Sequence, residues 1–305
     1  MRSLSFSRFN QLSENSRSAI FMVLAMLGFV FNDTLTKLSS ADVGVFQAMF
    51  IRAAMLSLFI GLLVWRQGLP LNPLAYLDKM LWLRIVAEIG GAILFFTALF
   101  NMPLANVTAV LQVTPLLITL ILALFLGEQV GWRRYLAIFA GFLGVMFIIR
   151  PGSSGFNIYS LAALGAVVGI VIRDLATQRV PSHIPSLFVV YATTVINALT
   201  TGLLTFVNGW EPIGWTTYGI LAGAACFVYV GYIFSVLTMR VGEASFTATF
   251  RYTSLVWAIL MGVLVFGDFP DGLTLLGAGI VTVAGIYSLY RERLAKRSRL
   301  AKQQE

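Results

Sequence analysis

Apolar residues in this chain come in ten long runs separated by short polar connectors. The runs cover 19–38, 43–65, 80–100, 105–126, 132–149, 156–175, 186–207, 214–238, 244–266 and 272–290. About 20 apolar residues in a helix cross the ~30 Å hydrocarbon core of a bilayer. The connectors carry turn residues, such as Gly68-Leu69-Pro70, Arg150-Pro151-Gly152 and Phe269-Pro270-Asp271. The pattern predicts an all-α membrane protein with ten transmembrane helices and no room for a soluble domain between them. Residues 1–18 are polar and serine-rich, with three arginines. A cleaved signal peptide would follow such a start with an apolar core of about 7–15 residues. The first run is longer, so it is read as helix 1.

Composition agrees with this reading. Hydrophobic residues make up 58% of the 305 positions and charged residues 11%, with a mean hydropathy of +0.86; soluble domains average about 25% charged. The net charge of +8 is concentrated in the flanks, with Arg291, Arg293, Lys296, Arg297, Arg299 and Lys302 in the last stretch. That is a membrane-proximal basic end, and no nucleic-acid partner is expected. With a cytoplasmic N-terminus, the inside segments hold these six together with Arg2, Arg8, Arg17, Arg66, Lys79, Arg133, Arg134, Arg179 and Arg240, whereas the outside loops hold only Arg150. The asymmetry predicts ten spans with both termini in the cytoplasm of a bacterial-type inner membrane. A lone cysteine, Cys226, is read as a small packing residue.

The chain looks duplicated. Leu126-Gly127-Glu128 and Phe266-Gly267-Asp268 lie 140 positions apart, Pro103-Leu104-Ala105 falls opposite Glu243-Ala244-Ser245, and Asn32-Asp33 falls opposite Arg173-Asp174. Two repeats of five helices follow, and because five is odd the second must be inverted. The expected organisation is a tail 1–18, repeats 19–150 and 156–290, and a basic tail 291–305.

These features resemble the drug/metabolite transporter superfamily, in its ten-helix EamA type. The resemblance rests on Asn32-Asp33…Lys37, Gln47…Phe50…Arg52, Pro103-Leu104-Ala105…Pro115…Gly127-Glu128…Gly141…Gly144-Val145 and Arg150-Pro151-Gly152. It implies a secondary transporter in which helices 1–4 and 6–9 line a central cavity and helices 5 and 10 are peripheral. The second repeat has Leu255 where the first has Pro115, so helix 9 lacks the proline kink expected of helix 4.

Charges inside the runs are the candidate chemistry, since burying one costs about 3 kcal/mol or more. Arg251 lies about 10 Å along a run beginning near residue 244, at 1.5 Å per residue. Tyr252 and Trp257 stand beside it, with Phe250, Thr253 and Ser254. Opposite it in the first repeat is apolar Leu111, with Gln112 as the polar neighbour. The asymmetry suits a solute whose carboxylate or phosphate meets a cation on one side and an amide on the other. The expected substrate-binding set is Arg251, Arg52, Gln112, Tyr252, Tyr229 and Trp257, with Tyr232 as further stacking surface.

Asp33, Lys37, Arg84 and Glu88 form the expected charge-pair or coupling set. Arg84 and Glu88 share a helix face, and Asp33 is the expected partner of Arg52. Arg173 and Asp174 are read as helix-end groups that reach the interface. Gly165…Gly169 and Gly219…Gly223 are read as close-packing pairs. Glu128 and Asp268 are read as caps of the next helices.

No phosphate-binding loop and no metal-ligand cluster is present, and the single histidine, His183, lies in a loop, so no cofactor and no enzymatic activity are expected. Asp33 and Glu88 are the acids deep enough to carry a proton, though cationic neighbours argue against that role. The function read from the residues is secondary transport, by alternating access, of a small organic metabolite such as an amino acid or other carboxylate- or phosphate-bearing solute. Export or exchange is the expected direction, with protons as a candidate coupling ion and a monomer or weak homodimer as the working state. An exporter of cationic or aromatic drugs is the alternative, and it would want an unpaired deep acid. A membrane-embedded enzyme is disfavoured.

Overall fold

The computed structural model describes residues 13–125, 131–151, 157–241 and 247–302. Every regular element among them is helical. The ten runs become α1 (Glu14–Leu38, continued by a 3₁₀ turn Ser39–Ala41), α2 (Val45–Arg66), α3 (Lys79–Asn101), α4 (Leu104–Phe125), α5 (Trp132–Ile149), α6 (Tyr159–Thr177), α7 (Ser186–Asn208), α8 (Trp215–Val241), α9 (Ala248–Phe266) and α10 (Gly272–Lys302). All ten are long and apolar enough to cross a membrane.

Polar residues at the connectors start the helices. The Asp78 carboxylate accepts from the Met80 and Leu81 amides at the start of α3, and Asp271 accepts from Thr274 N–H at the start of α10. Such bonds satisfy amides that have no partner within the helix. Asp271, rather than the expected Asp268, caps α10. Gly152, Leu126-Gly127-Glu128 and Glu243-Ala244-Ser245 lie outside the described residues.

The closest helix pairs are α1 with α8, α3 with α6, α5 with α10 and α2 with α7. Exchanging each helix for its counterpart five positions along returns the same set of pairs, which is the signature of two repeats. Each pair runs antiparallel. Along α1 and α8, Ser18 Oγ donates to the Thr238 carbonyl at 2.8 Å, the Phe21 and Phe234 rings lie 5.9 Å apart, and those of Phe31 and Phe227 4.9 Å apart. One index rises as the other falls. The repeats are therefore inverted and interlocked, with each helix of one repeat buried against a helix of the other.

Small residues set the closest approaches. A Cβ on Gly169 would lie 2.7 Å from Gly91 Cα, and one on Gly144 would lie 2.8 Å from the Gly277 carbonyl oxygen. Neither position has room for a side chain, so α3–α6 and α5–α10 pack backbone to backbone. The sequence spacing was informative at Gly169 and misleading at Gly219, where an added Cβ would meet nothing within 4 Å. Cys226 is exposed rather than packed.

Candidate functional site

The two helices that cross at the repeat interface are both irregular, at equivalent positions. α4 is interrupted at Gln112-Val113, between an α segment Leu104–Leu111 and another Thr114–Phe125. α9 begins as a 3₁₀ helix over Ala248–Tyr252, becomes α over Thr253–Met261 and ends as a π turn over Gly262–Phe266. Pro115 disturbs α4 by removing a backbone donor. α9 has no proline, yet its geometry is broken at the matching place. Hydroxyls provide the alternative there. Thr253 Oγ1 donates to the Phe250 carbonyl at 2.6 Å and Ser254 Oγ to the Arg251 carbonyl at 2.9 Å. Thr114 makes the counterpart bond to Leu111 at 2.6 Å. Local side-chain bonds of this kind offer the backbone an alternative to the helical ladder. Gln112 ties the two breaks together, donating from Nε2 to Ser254 Oγ at 3.0 Å and to the Tyr252 carbonyl at 3.4 Å. It is buried, so its amide is a strut between repeats rather than an open solute contact.

Arg251 occupies this broken stretch and its side chain is exposed. Its neighbours are turned elsewhere. Tyr252 is buried against α10, where its hydroxyl fills the space beside Gly285. Phe250 and Trp257 pack on Met22, Ala25 and Met26 of α1. The Arg251 guanidinium makes no ion pair or hydrogen bond with the described residues, and lies within electrostatic range of Asp174 and Arg173 on α6.

Those two groups belong to a lattice. Arg84 Nη2 is 3.1 Å from Glu88 Oε2, and Glu88 Oε1 is 3.4 Å from Arg173 Nη1. Arg173 also grips Asp174 on its own helix at 2.8 Å, and Arg84 Nη1 donates to Thr193 of α7 at 2.6 Å. Arg173 and Asp174 are thus part of an interior network instead of reaching for the interface. The Glu88–Arg173 pair joins the first repeat to the second. Tyr232 of α8 is within electrostatic range of Arg84, Glu88 and Arg173 of this lattice and of Arg52 in the next cluster.

That second cluster lies toward the opposite end of the bundle. Arg52 Nη1 donates to Asn32 Oδ1 at 2.8 Å, Asn32 Nδ2 donates to Asp33 Oδ1 at 2.8 Å, and the Arg52 guanidinium lies 4.2 Å from the Phe96 ring centroid. Asp33 and Arg52 interact as expected, but through the Asn32 amide. The Lys37 ammonium donates to the carbonyls of Leu99 (3.0 Å) and Met102 at the end of α3. A cation there complements the negative end of the α3 dipole. Tyr229 sits on the α2–α8 seam, its ring 6.3 Å from the outward-facing Phe59, away from Arg251. The indole N–H of Trp257 is buried and finds no partner among the described residues. Of the expected set, Arg251, Arg52, Asp33, Arg84 and Glu88 therefore belong to the interior. Tyr232, expected as stacking surface, joins them, and Asn32, Arg173, Asp174 and Thr193 are the additions. Among the described residues, no group of three or more His, Cys, Asp or Glu is placed to hold a metal.

The comparisons with known proteins agree with this architecture. A sequence profile of the EamA-like transporter family matches residues 16–150 and 157–291. Similar curated proteins include a riboflavin transporter of Vibrio cholerae, 28% identical over 273 residues, which cover 88% of this chain and 91% of that one. The pseudopaline exporter CntI of Pseudomonas aeruginosa is also 28% identical, over 88% of this chain and 94% of its own. An S-adenosylmethionine uptake transporter of Rickettsia prowazekii is 25% identical, over 70% and 74%. A solved crystal structure superposes with a TM-score of 0.61 at 19% identity, over 92% of this chain and 99% of the other, a likeness of fold.

Proposed function

The chain belongs to the EamA-like transporter family, and from that premise we propose that its solute is a small organic metabolite bearing at least one anionic group, held by Arg251 between the two repeats. The protein is a multi-pass component of the bacterial cytoplasmic membrane, and its activity is transport of a small metabolite rather than catalysis. The observation that carries the anionic reading is Arg251 itself. It is an exposed interior cation at a helix break, without an ion pair among the described residues. A guanidinium offers two parallel N–H donors to a carboxylate or phosphate, a charge-assisted pair roughly twice as strong as a neutral hydrogen bond. Broken helices at a repeat interface are where inverted-repeat transporters hold their solutes.

The acids support the same reading. Asp33 is bonded to Asn32, Glu88 to two arginines and Asp174 to one. Glu88 and Asp174 are thus ion-paired, which leaves Asp33, hydrogen-bonded to a neutral amide, as the one of the three without an ion pair among the described residues. In operation the two repeats rock against each other around Arg251, and the Glu88–Arg173 pair is a link between them that the motion must load.

A thermal-stability screen of the purified protein tests the proposal with amino acids, organic acids, nucleotides, riboflavin and quaternary amines. A ligand present at about 100 times its Kd stabilises the folded state by about 2.7 kcal/mol. Stabilisation by anion-bearing metabolites is expected. Stabilisation by quaternary amines alone overturns the reading.

A further inference from the structure

We propose that the outer groove between α5 and α10 is a binding site for one phospholipid with an anionic headgroup. The groove has a volume of about 740 Å³, and its lining residues all belong to α5 and α10 and do not include Arg251. Its floor includes Ala140 and Gly279, and its walls include Leu136, Leu276 and Val283. Gly279 is open, since an added Cβ would meet nothing within 4 Å. Both helices are membrane-spanning, so the groove opens onto lipid rather than water.

Its polarity is one-sided. Among the described residues of the lining Arg133 is the only charged one, and it lies with Trp132 and Tyr287 at a single end. The adjacent Arg134 is buried and bonded to Glu292 at 3.0 Å, whereas Arg133 is exposed with its guanidinium 5.5 Å from the Trp132 ring centroid. Beyond Tyr287 the chain of α10 continues into Arg291, Arg293, Lys296 and Arg297. Trp and Tyr at one level, with cations just beyond, mark the headgroup zone of a membrane.

Length fits as well. Leu275 to Tyr287 spans about 18 Å at 1.5 Å per residue, close to one leaflet of a hydrocarbon core about 30 Å thick. An acyl chain in the groove would therefore place its phosphate at Arg133.

A second copy of the chain is the competing occupant, and charge disfavours it. A two-fold axis along the membrane normal would keep both Arg133 side chains in the same leaflet, so the polar end of the interface would carry like charges. An anionic phosphate complements Arg133 instead.

The test uses the full-length protein in mixed micelles with palmitoyl-oleoyl phosphatidylglycerol or phosphatidylcholine. Native mass spectrometry reads bound lipid, and a melting curve reads stability. The expected result is one retained lipid per chain, with phosphatidylglycerol favoured about fivefold, as one cation near a membrane surface supplies. Arg133→Gln should abolish that preference and leave the melting temperature in phosphatidylcholine unchanged. Gly279→Leu, whose Cβ has open space, should reduce retention of both lipids in a folded protein. Equal retention of the two lipids by the unmodified chain overturns the proposal. So does retention that both variants leave intact, or a dimer whose formation, rather than lipid, protects the groove.

Discussion

Gly169→Ala probes the packing that brings the two repeats together. A Cβ there would lie 2.7 Å from Gly91 Cα and 3.1 Å from both the Gly91 nitrogen and the Ala87 carbonyl oxygen. All three neighbours are backbone, so no side chain can rotate away. Reaching ordinary contact requires α3 and α6 to part by about 0.7 Å, and overpacking of this kind costs about 1–3 kcal/mol. Alanine returns up to about 1 kcal/mol through its better helix propensity.

The net expectation is a loss of about 1–2 kcal/mol, measured by denaturant unfolding in micelles. Gly219→Ala is the control. Nothing lies within 4 Å of its added Cβ, so it should be neutral or stabilising by up to about 1 kcal/mol. The separation has a second consequence, because Glu88 and Arg173 are 3.4 Å apart one turn away on the same two helices. Parting them should weaken that pair, so Gly169→Ala and Glu88→Gln should be less than additive when combined. Equal effects of Gly169→Ala and Gly219→Ala would refute the close approach. Full additivity with Glu88→Gln would refute the link between packing and ion pair.

Glu88→Gln alone should lower unfolding stability by about 1–3 kcal/mol and slow transport, because Arg173 keeps Asp174 and Arg84 keeps Thr193 while both lose a charge; unchanged melting would show the lattice to be idle. Lys37→Met should cost about 1–3 kcal/mol by leaving the Leu99 and Met102 carbonyls unbonded. It should not change solute affinity, and a change would return Lys37 to the site. Asp271 lies outside the spans, and the Thr274 N–H, followed by the Arg150 guanidinium, holds its carboxyl below the usual carboxylate range. A depressed carboxylate contributes stability above its unfolded pKa and loses it as pH falls through the folded value. The stability gap between the parent and Asp271→Asn should therefore be full at neutral pH and close under acid, as followed by melting curves; a gap that persists in acid would contradict it.

The helices were legible because a bilayer leaves few options for an apolar run, and the inversion followed from five being odd. The Arg84–Glu88 pair was legible because helical geometry puts residues four apart on one face. Glu88–Arg173 was not, since 85 positions separate its members and only the interlocking of repeats brings them together. Tyr252 was misplaced for a local reason. In the 3₁₀ stretch of α9 it is buried onto Gly285 while Arg251 stays exposed, and the hydroxyls that sustain that stretch are visible only once their carbonyl partners are. The bonds of Lys37 were not legible, because a cation satisfying helix-end carbonyls looks, in sequence, like any intramembrane charge.

The central claim is that Arg251 reads an anionic group. Equilibrium binding of the best anionic ligand from the stability screen to Arg251→Gln measures it most directly, beside Arg251→Lys and with folding checked by melting. A charged hydrogen bond is worth about 1.5–3 kcal/mol, so affinity should fall roughly 10- to 150-fold in the glutamine variant and recover in part with lysine. A folded Arg251→Gln protein that binds the ligand as tightly as the parent would contradict the account.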